Sequence, residues 1–158
     1  AEVLVLGKLA KDAKAARSAL GRSITSGGAA ERFARMVVSL GGPANLVEKP
    51  GTHLASAPRI SDVPAPRSGI VTAIDTRAIG FAVVALGGGR TGAEHTIDPA
   101  VGFDRLLPVG VRVEEGQPLA RVHAANEWSA AAAAVSVVDA YTVGERKPAV
   151  GPLVERID

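Results

Sequence analysis

The sequence predicts an α+β fold, in which a small helical segment precedes a domain of alternating strands and helices. Two observations carry this prediction. Apolar residues recur at helical spacing through residues 12–40, whereas β-rich runs bounded by turn residues follow later in the chain. Five of the ten prolines lie between these parts, in residues 43–68. We therefore divide the chain into a helical segment at 1–45, a linker at 46–64 with at most short edge strands, and a second domain at 65–158.

The first segment is predicted to contain three helical pieces. Asp12 is placed to cap a helix that ends before Gly27, and a second helix ends at Gly41. The apolar stripes behind these two helices are Ala16, Leu20 and Ile24, then Phe33, Met36, Val37 and Leu40. Residues 1–10 open on an apolar stretch without an initiator Met or a capping residue. We expect this stretch to be the end of a helix that begins upstream, at a cut edge.

The second domain is predicted to alternate strands with two helices. Asp75 can cap a helix that runs through Leu86, and Asn126 can cap a very alanine-rich helix that runs through Tyr141. That second helix is expected to lie on a sheet rather than to bind a partner. The predicted strands are residues 69–74, 103–107, 109–113, 119–124 and 153–157, with a turn at 114–117.

Composition excludes several classes of function. The chain is 47% hydrophobic and 22% charged with a net charge of +2, so it is expected to fold and lacks a basic stripe for nucleic acid. Because it has no cysteine, disulfides and thiolate metal sites are excluded. Its longest apolar stretch, residues 130–138, is too short to span a membrane. We expect a cytoplasmic protein that binds neither membrane nor nucleic acid.

Candidate site residues are few. Gly87, Gly88, Gly89 and Arg90 could cradle an anion with backbone amides and a guanidinium. A phosphate loop normally precedes a helix, however, whereas this one follows a helix and lacks the Gly-Lys-Ser/Thr ending. From the residues alone, helix termination is the favoured interpretation.

The sequence pattern around the three histidines does not by itself indicate a metal or catalytic site. His95 lies near two acidic residues, Glu94 and Asp98, but such groups in an exposed loop are usually solvated. His123 is expected to be structural, at a sheet margin, and His53 has no partner pattern. The Ser68-Gly69 pair has no nearby histidine, and the adjacent Glu114 and Glu115 do not form a paired-carboxylate site. The residues alone therefore reveal no active site.

Two stretches resemble the thymidine and pyrimidine-nucleoside phosphorylase family. The first extends from Gly7 to Pro43 and is similar to the last helices of the family's large α/β domain. The second is more specific and runs from Asp75 through the triple glycine and Arg90 to Thr96-Ile97-Asp98-Pro99 and Val101-Gly102-Phe103. Together they cover nearly the whole chain.

The resemblance implies an α/β-hammerhead domain with a barrel-sandwich-like architecture. It also implies a parent pentosyltransferase that converts thymidine and phosphate into thymine and 2-deoxy-α-D-ribose 1-phosphate in pyrimidine salvage. Such a parent needs no cofactor beyond phosphate as co-substrate and works as a homodimer. The family's catalytic and dimer-forming residues lie upstream of Ala1. The chain's expected partner is therefore the missing N-terminal catalytic part, and the chain alone is expected to be inactive.

The resemblance further implies a role for the loop after the triple glycine. In this family the two lobes close over the substrates, and the segment from Gly87 to Asp98 belongs to the lobe that faces phosphate. Within that segment we expect a lid that excludes water. Its substrate-side residues are Gly88, Gly89, Arg90, Thr91 and His95.

Two alternatives stay open at this stage. Residues 66–71 and 109–119 look like the half-barrel repeats of biotinyl and lipoyl carriers, but the modified lysine is missing, and residues 123–126 read His-Ala-Ala-Asn where a carrier would place it. The chain could also be a stand-alone interaction module, whose apolar residues Val3, Leu4 and Leu6 would cause self-association or poor order.

Overall fold

The computed structural model describes residues 1–149 and 151, and the chain forms two compact units. The first comprises residues 1–54, and the second begins at Ala55. The strand predicted at residues 153–157 lies outside the described residues. Among those described, no helix is long and apolar enough to cross a bilayer.

The first unit consists of helices with polar connections. The elements are α1 (Glu2–Leu6), α2 (Ala13–Thr25), α3 (Gly28–Ser39) and a short 3-10 turn (Pro50–Thr52). The Asp12 carboxylate accepts a hydrogen bond of 2.7 Å from Ala15 N, so the predicted cap of α2 is confirmed. Gly27 has a φ of +80°, a left-handed conformation that lets α3 start immediately after α2 ends.

This first unit has almost no core. Ala16 is the one fully buried side chain among residues 1–54, all of which the structure describes. Val3 and Leu6 are 79% and 74% exposed, while Leu4 is half-buried. Further large apolar side chains of this unit are exposed: Leu9, Leu20, Ile24, Phe33, Met36, Val38, Leu40, Val47 and Leu54.

The second unit is built on two antiparallel sheets of three strands each. The strands are β1 (Arg59–Pro64), β2 (Gly69–Ile74), β3 (Gly102–Asp104), β4 (Arg112–Val113), β5 (Pro118–Ala124) and β6 (Tyr141–Gly144). One sheet has the order β1-β5-β3 and the other β4-β2-β6. Strand β1 pairs Arg59 with Ala124 and is an edge strand, as the prolines that surround it require.

Two helices complete the second unit, α4 (Thr76–Val83) and α5 (Glu127–Ala140), which contact each other. Asp75 caps α4 by accepting a hydrogen bond of 2.9 Å from Ala78 N. Asn126 caps α5 in a capping box, in which its side chain bonds Ser129 N and the Ser129 hydroxyl accepts from Asn126 N. Both predicted caps are confirmed.

The core of the second unit is made of valine, leucine and alanine. Its fully buried large side chains are Leu119, Val63, Val71, Val113, Val122 and Val137. Each such side chain contributes about 1.5–3 kcal/mol relative to an exposed position. Helix α5 packs on β5 and β1, so the predicted placement of this helix on a sheet is confirmed. The core therefore joins both sheets, and it includes Leu86, which follows α4.

Three element boundaries differ from the prediction. Strand β3 stops at Asp104, and β4 is shortened to two residues because residues 109–111 form a turn, in which Gly110 N donates to Val71 O. Helix α5 ends at Ala140, whereas the sequence predicted a helix that continues through Tyr141. Tyr141 has extended backbone angles and pairs with Ile74, so it starts β6, an element that the sequence analysis missed.

Candidate functional site

Helix α4 does not end as a regular helix. It passes into a π-turn at Val84–Gly88, within which Gly87 has a φ of +100°. That left-handed conformation disfavours every residue except glycine and turns the chain away from the helix axis. The predicted helix termination at the triple glycine is therefore confirmed.

At the other two glycines, Gly88 and Gly89, neighbouring side chains leave no room for a β-carbon. A β-carbon on Gly88 would lie 2.9 Å from Val83 Cγ1, and one on Gly89 would lie 2.7 Å from Val84 Cγ2. Both distances are shorter than a normal contact between carbon atoms. The first residues of the loop therefore pack directly against the side chains of Val83 and Val84.

The loop from Gly89 to Pro99 has its two ends joined. Asp98 N donates to Gly87 O at 2.9 Å, and the Asp98 carboxylate accepts from Ala100 N at 2.9 Å. The chain then enters β3 at Gly102, which pairs with the central strand β5. A loop with joined ends on two rigid elements can project its tip without disturbing the core.

The tip of the loop carries the predicted polar side chains. Arg90, Thr91, Glu94 and His95 are all exposed, and the Thr91 hydroxyl is hydrogen-bonded to His95 Nδ1. Within the described part of the chain, no three His, Cys, Asp or Glu residues are grouped as a metal would require. The loop therefore carries an exposed guanidinium and an exposed imidazole with its hydroxyl partner.

The remaining histidines lie elsewhere. His53 Nε2 is 2.7 Å from Asn45 Oδ1 in the first unit, a partner that the sequence analysis did not identify. His123 lies near the end of β5, which is the central strand of its sheet and not a marginal one. Its Nε2 is 3.4 Å from the Asp104 carboxylate. Neither contact includes a residue of the loop that follows the triple glycine.

A charged row on the β1-β5-β3 sheet is a second feature missed by sequence reasoning. Arg121 lies opposite Asp62 on one side and Asp104 on the other, with Nε to carboxylate distances of 3.3 and 4.0 Å. Alternation along β5 could have placed Arg121 and His123 on one face. The acidic partners depend on strand register, which the sequence does not reveal.

The turn at residues 114–117 is confirmed and is hydrogen-bonded to Ser68, the residue before β2. Gln117 N donates to Glu114 O at 3.0 Å, and Glu115 N donates to the Ser68 hydroxyl at 2.8 Å. Ser68 therefore acts as a hydrogen-bond acceptor for the turn. Glu114 and Glu115 are both exposed.

Comparison with known proteins finds one matching family and several similar enzymes. Residues 70–144 match the family described as pyrimidine nucleoside phosphorylase C-terminal domain. The matched residues all lie within the second unit. Thymidine phosphorylase of Burkholderia cenocepacia strain J2315 is 53% identical over all 158 residues, which correspond to 36% of that protein's length. The predicted resemblance to the C-terminal portion of this family is confirmed.

Two other thymidine phosphorylases are similar over most of the chain. The protein of that name from Mesorhizobium japonicum is 54% identical over 134 residues, covering 85% of this chain and 30% of the relative. The one from Colwellia psychrerythraea is 44% identical over 152 residues, covering 96% and 35%. The chain thus spans about a third of the length of these curated relatives, and the similarity includes the helical first unit.

Proposed function

We propose that this chain is the C-terminal part of a thymidine phosphorylase. The observation that carries the proposal is the 53% identity to such an enzyme over every residue of the chain. The reaction would be phosphorolysis of thymidine to thymine and 2-deoxy-α-D-ribose 1-phosphate. The parent is then a pentosyltransferase of cytoplasmic pyrimidine salvage, with phosphate as co-substrate and no further cofactor.

The chain alone is expected to lack this activity. Phosphorolysis depends on positioning of two substrates and on stabilisation of developing charge, which need converging side chains in a closed cleft. The described residues place an arginine, a threonine and a histidine on one exposed loop, in which the threonine is hydrogen-bonded to the histidine. We assign the base-binding and catalytic groups to the part of the parent that lies outside this chain.

We further propose that the second unit is an α/β-hammerhead domain with a barrel-sandwich-like architecture. Two three-stranded antiparallel sheets that share one core support it. Pairing between the two carrier-like segments also supports it, since Gly69 lies opposite Val113 and Ile70 opposite Arg112. The carrier function itself is not proposed, because Asn126 is used as the cap of α5 and no lysine occupies residues 123–126.

We assign the loop from Gly87 to Asp98 to the phosphate-facing side of the cleft, as a lid. Gly88 and Gly89 would fix its base, while Arg90, Thr91 and His95 would form its substrate side. The joined ends of the loop and the exposure of Arg90 support this role. An exposed guanidinium suits a phosphate dianion, because it donates two parallel hydrogen bonds to neighbouring oxygens.

The first unit suggests where the rest of the parent packs. A helical unit with one buried side chain cannot be stabilised by its own core, so its exposed leucines, Phe33 and Met36 would be covered by the remaining N-terminal catalytic part. The homodimer implied by the resemblance would be formed by that part.

A chimera tests the proposed activity. The C-terminal 36% of the Burkholderia cenocepacia enzyme is replaced by this chain, and thymine release from thymidine is followed with and without phosphate. Phosphate-dependent release is the expected result. A chimera that folds, as judged by circular dichroism and a cooperative melt, yet releases no thymine would overturn the proposal. The isolated 158-residue chain serves as the inactive control.

Arg90→Ala in the same chimera tests the lid. Loss of the guanidinium is expected to lower kcat/KM for phosphate about tenfold, which corresponds to about 1.4 kcal/mol of transition-state stabilisation. Arg112→Ala is the matched control, because Arg112 is also exposed but lies on β4. Equal kinetics for Arg90→Ala and the unmodified chimera would remove the lid from the proposal while leaving the activity assignment intact.

A further inference from the structure

The loop after the triple glycine contains a turn that is closed twice around one histidine. His95 N donates a hydrogen bond of 3.2 Å to Gly92 O, which closes residues 92–95 into a turn. The Thr91 hydroxyl, from the residue before the turn, is hydrogen-bonded to Nδ1 of the same histidine. Both the backbone and the ring of His95 are therefore anchored across the turn, although the residue is exposed.

Thr91 is well suited to hold this ring. Its side chain branches at the β-carbon, which restricts rotation about χ1 and leaves the hydroxyl few positions. The other charged groups of the loop are Arg90, Glu94 and Asp98, and the Asp98 carboxylate already accepts from Ala100 N. In the part of the chain that the structure describes, no carboxylate forms an ion pair with the His95 ring. The hydroxyl is thus the group that orients the ring.

The hydrogen bond to Thr91 also decides where the ring carries its hydrogen. In a neutral imidazole one nitrogen has a hydrogen and the other has a lone pair. An imidazole lone pair is a stronger base than a hydroxyl oxygen, so the hydroxyl donates to Nδ1 and the hydrogen of the ring lies on Nε2. In a protonated ring both nitrogens carry hydrogen, and Nδ1 donates to the hydroxyl oxygen. Nε2 is consequently a donor in both states.

We propose that Thr91 is a positioning residue that keeps Nε2 of His95 as a permanent N–H donor for an oxygen of the phosphate substrate. Thr91 acts through His95, which makes the contact. This inference rests on the proposed function, because it takes the loop from Gly87 to Asp98 to be the phosphate-facing lid of the parent enzyme.

A permanent donor suits phosphate for two reasons. The oxygens of a phosphate dianion only accept hydrogen bonds, so a ring that turned a lone pair toward them would repel the substrate. A ring that is already oriented also loses less freedom when the substrate binds. The guanidinium of Arg90 is always charged and supplies the attraction, whereas His95 supplies a directed donor that needs no positive charge.

The tautomer of His95 can be measured without any activity. The 158-residue chain is labelled with ¹⁵N at histidine, and long-range ¹H–¹⁵N spectra are recorded at about pH 9, where imidazoles are neutral. His95→Gln identifies the signals of His95 among the three histidines. The expected result is a hydrogen on Nε2 and a lone pair on Nδ1.

Thr91→Val removes the hydroxyl and keeps the shape of the side chain. The ring nitrogen shifts of His95 are expected to move toward those of an unstructured peptide with the loop sequence, because the tautomer is no longer fixed. Thr91→Ser keeps the hydroxyl and should keep the shifts. A hydrogen on Nδ1 in the unmodified chain, or equal spectra for Thr91→Val and the unmodified chain, would overturn the proposal.

Two substitutions of His95 locate the donor that phosphate uses. Glutamine places its amide N–H close to the position of Nε2, whereas asparagine places it close to that of Nδ1. In the chimera with the Burkholderia cenocepacia enzyme, His95→Asn is expected to raise KM for phosphate about tenfold at little changed kcat, while His95→Gln stays close to the unmodified chimera. KM for thymidine should not change in either variant. Equal effects of asparagine and glutamine, or a change confined to KM for thymidine, would contradict a donor to phosphate at Nε2.

The role of Thr91 is tested in the same assay. Thr91→Val is expected to raise KM for phosphate about threefold, and Thr91→Ser to restore it. Thr142→Val is the matched control, because Thr142 is also exposed but lies on β6. An active chimera in which Thr91→Val and Thr142→Val have the same KM for phosphate would overturn this inference and leave the activity assignment intact. A folded chimera without phosphate-dependent thymine release would instead overturn the proposed function, and the assignment of His95 to phosphate with it.

Discussion

Gly89 shows at the scale of one residue how closely the loop is packed on α4. Its backbone angles are extended and suit any residue, so the constraint is space alone. Gly89→Ala would place a β-carbon 2.7 Å from Val84 Cγ2 and force the loop or the valine to move. We expect a loss of about 1–3 kcal/mol in the free energy of unfolding, measured by urea denaturation of the chain.

Gly92 is the matched control for this substitution. It lies in the same loop, yet a β-carbon there would have no atom within 4 Å. Gly92→Ala should therefore change stability by no more than about 0.5 kcal/mol. Equal losses for both variants would contradict the assignment of the Gly89→Ala loss to the contact with Val84.

Tyr141 links pH to stability. Burial raises the pKa of its phenol above the ordinary value of 10.0, and its hydroxyl donates to Leu107 O at 3.0 Å. From about pH 10 upward the unfolded chain loses this proton while the folded chain keeps it, so the unfolded state binds fewer protons and stability falls. Below that pH the contribution is constant.

Tyr141→Phe removes this effect. We expect the variant to be less stable by about 1 kcal/mol at neutral pH, because Leu107 O loses its donor. The stability difference between the two chains should shrink as pH rises above about 10, as measured by urea denaturation at a series of pH values. A difference independent of pH would contradict the assignment of the raised pKa to the folded state.

Helix α5 is the element whose boundary depends most clearly on one side chain. Asn126→Ala removes the side-chain acceptor for Ser129 N, which is one of the two hydrogen bonds of the capping box, and is expected to cost about 1 kcal/mol in thermal or urea unfolding. Asn126→Asp keeps the acceptor, so it should retain most of the stability. If alanine and aspartate gave equal losses, the cap would not contribute to stability.

The same helix shows what a sequence can predict and what it cannot. Its start was predictable because a cap is a local event between residues three apart, as it also was at Asp12 and Asp75. Its end was not, because no glycine or proline separates helix from strand between Val137 and Val143. Pairing of Tyr141 with Ile74, a contact distant in sequence, decides that boundary.

Some features of the candidate site could also be predicted from the sequence, and others could not. An exposed loop after a triple glycine was predictable, because Gly87 must take a left-handed conformation and polar residues follow it. The partners of His53 and the row formed by Asp62, Arg121 and Asp104 were not, since they depend on a chain turn and on strand register. The assignment of Arg90 to phosphate stays a prediction.

At the scale of the whole molecule, burial is distributed unevenly between the two units. All residues of the main core lie between Val63 and Val143, whereas Ala16 alone is buried in the first unit. Amide hydrogen exchange of the isolated chain should therefore be much faster in α2 and α3 than in β5. Comparable protection in α2 and β5, observed at a concentration where the chain is monomeric, would contradict this expectation.

The direct passage from α5 into β6 also has an evolutionary consequence. Ala140 ends the helix, Tyr141 begins the strand, and Asp75 N donates to Ala140 O at 2.8 Å across the junction. An extra residue inserted here would invert the two faces of β6 and expel Tyr141 and Val143 from the core. Among homologous sequences, insertions and deletions should therefore occur at residues 91–96 and be absent at the junction between Ala140 and Tyr141.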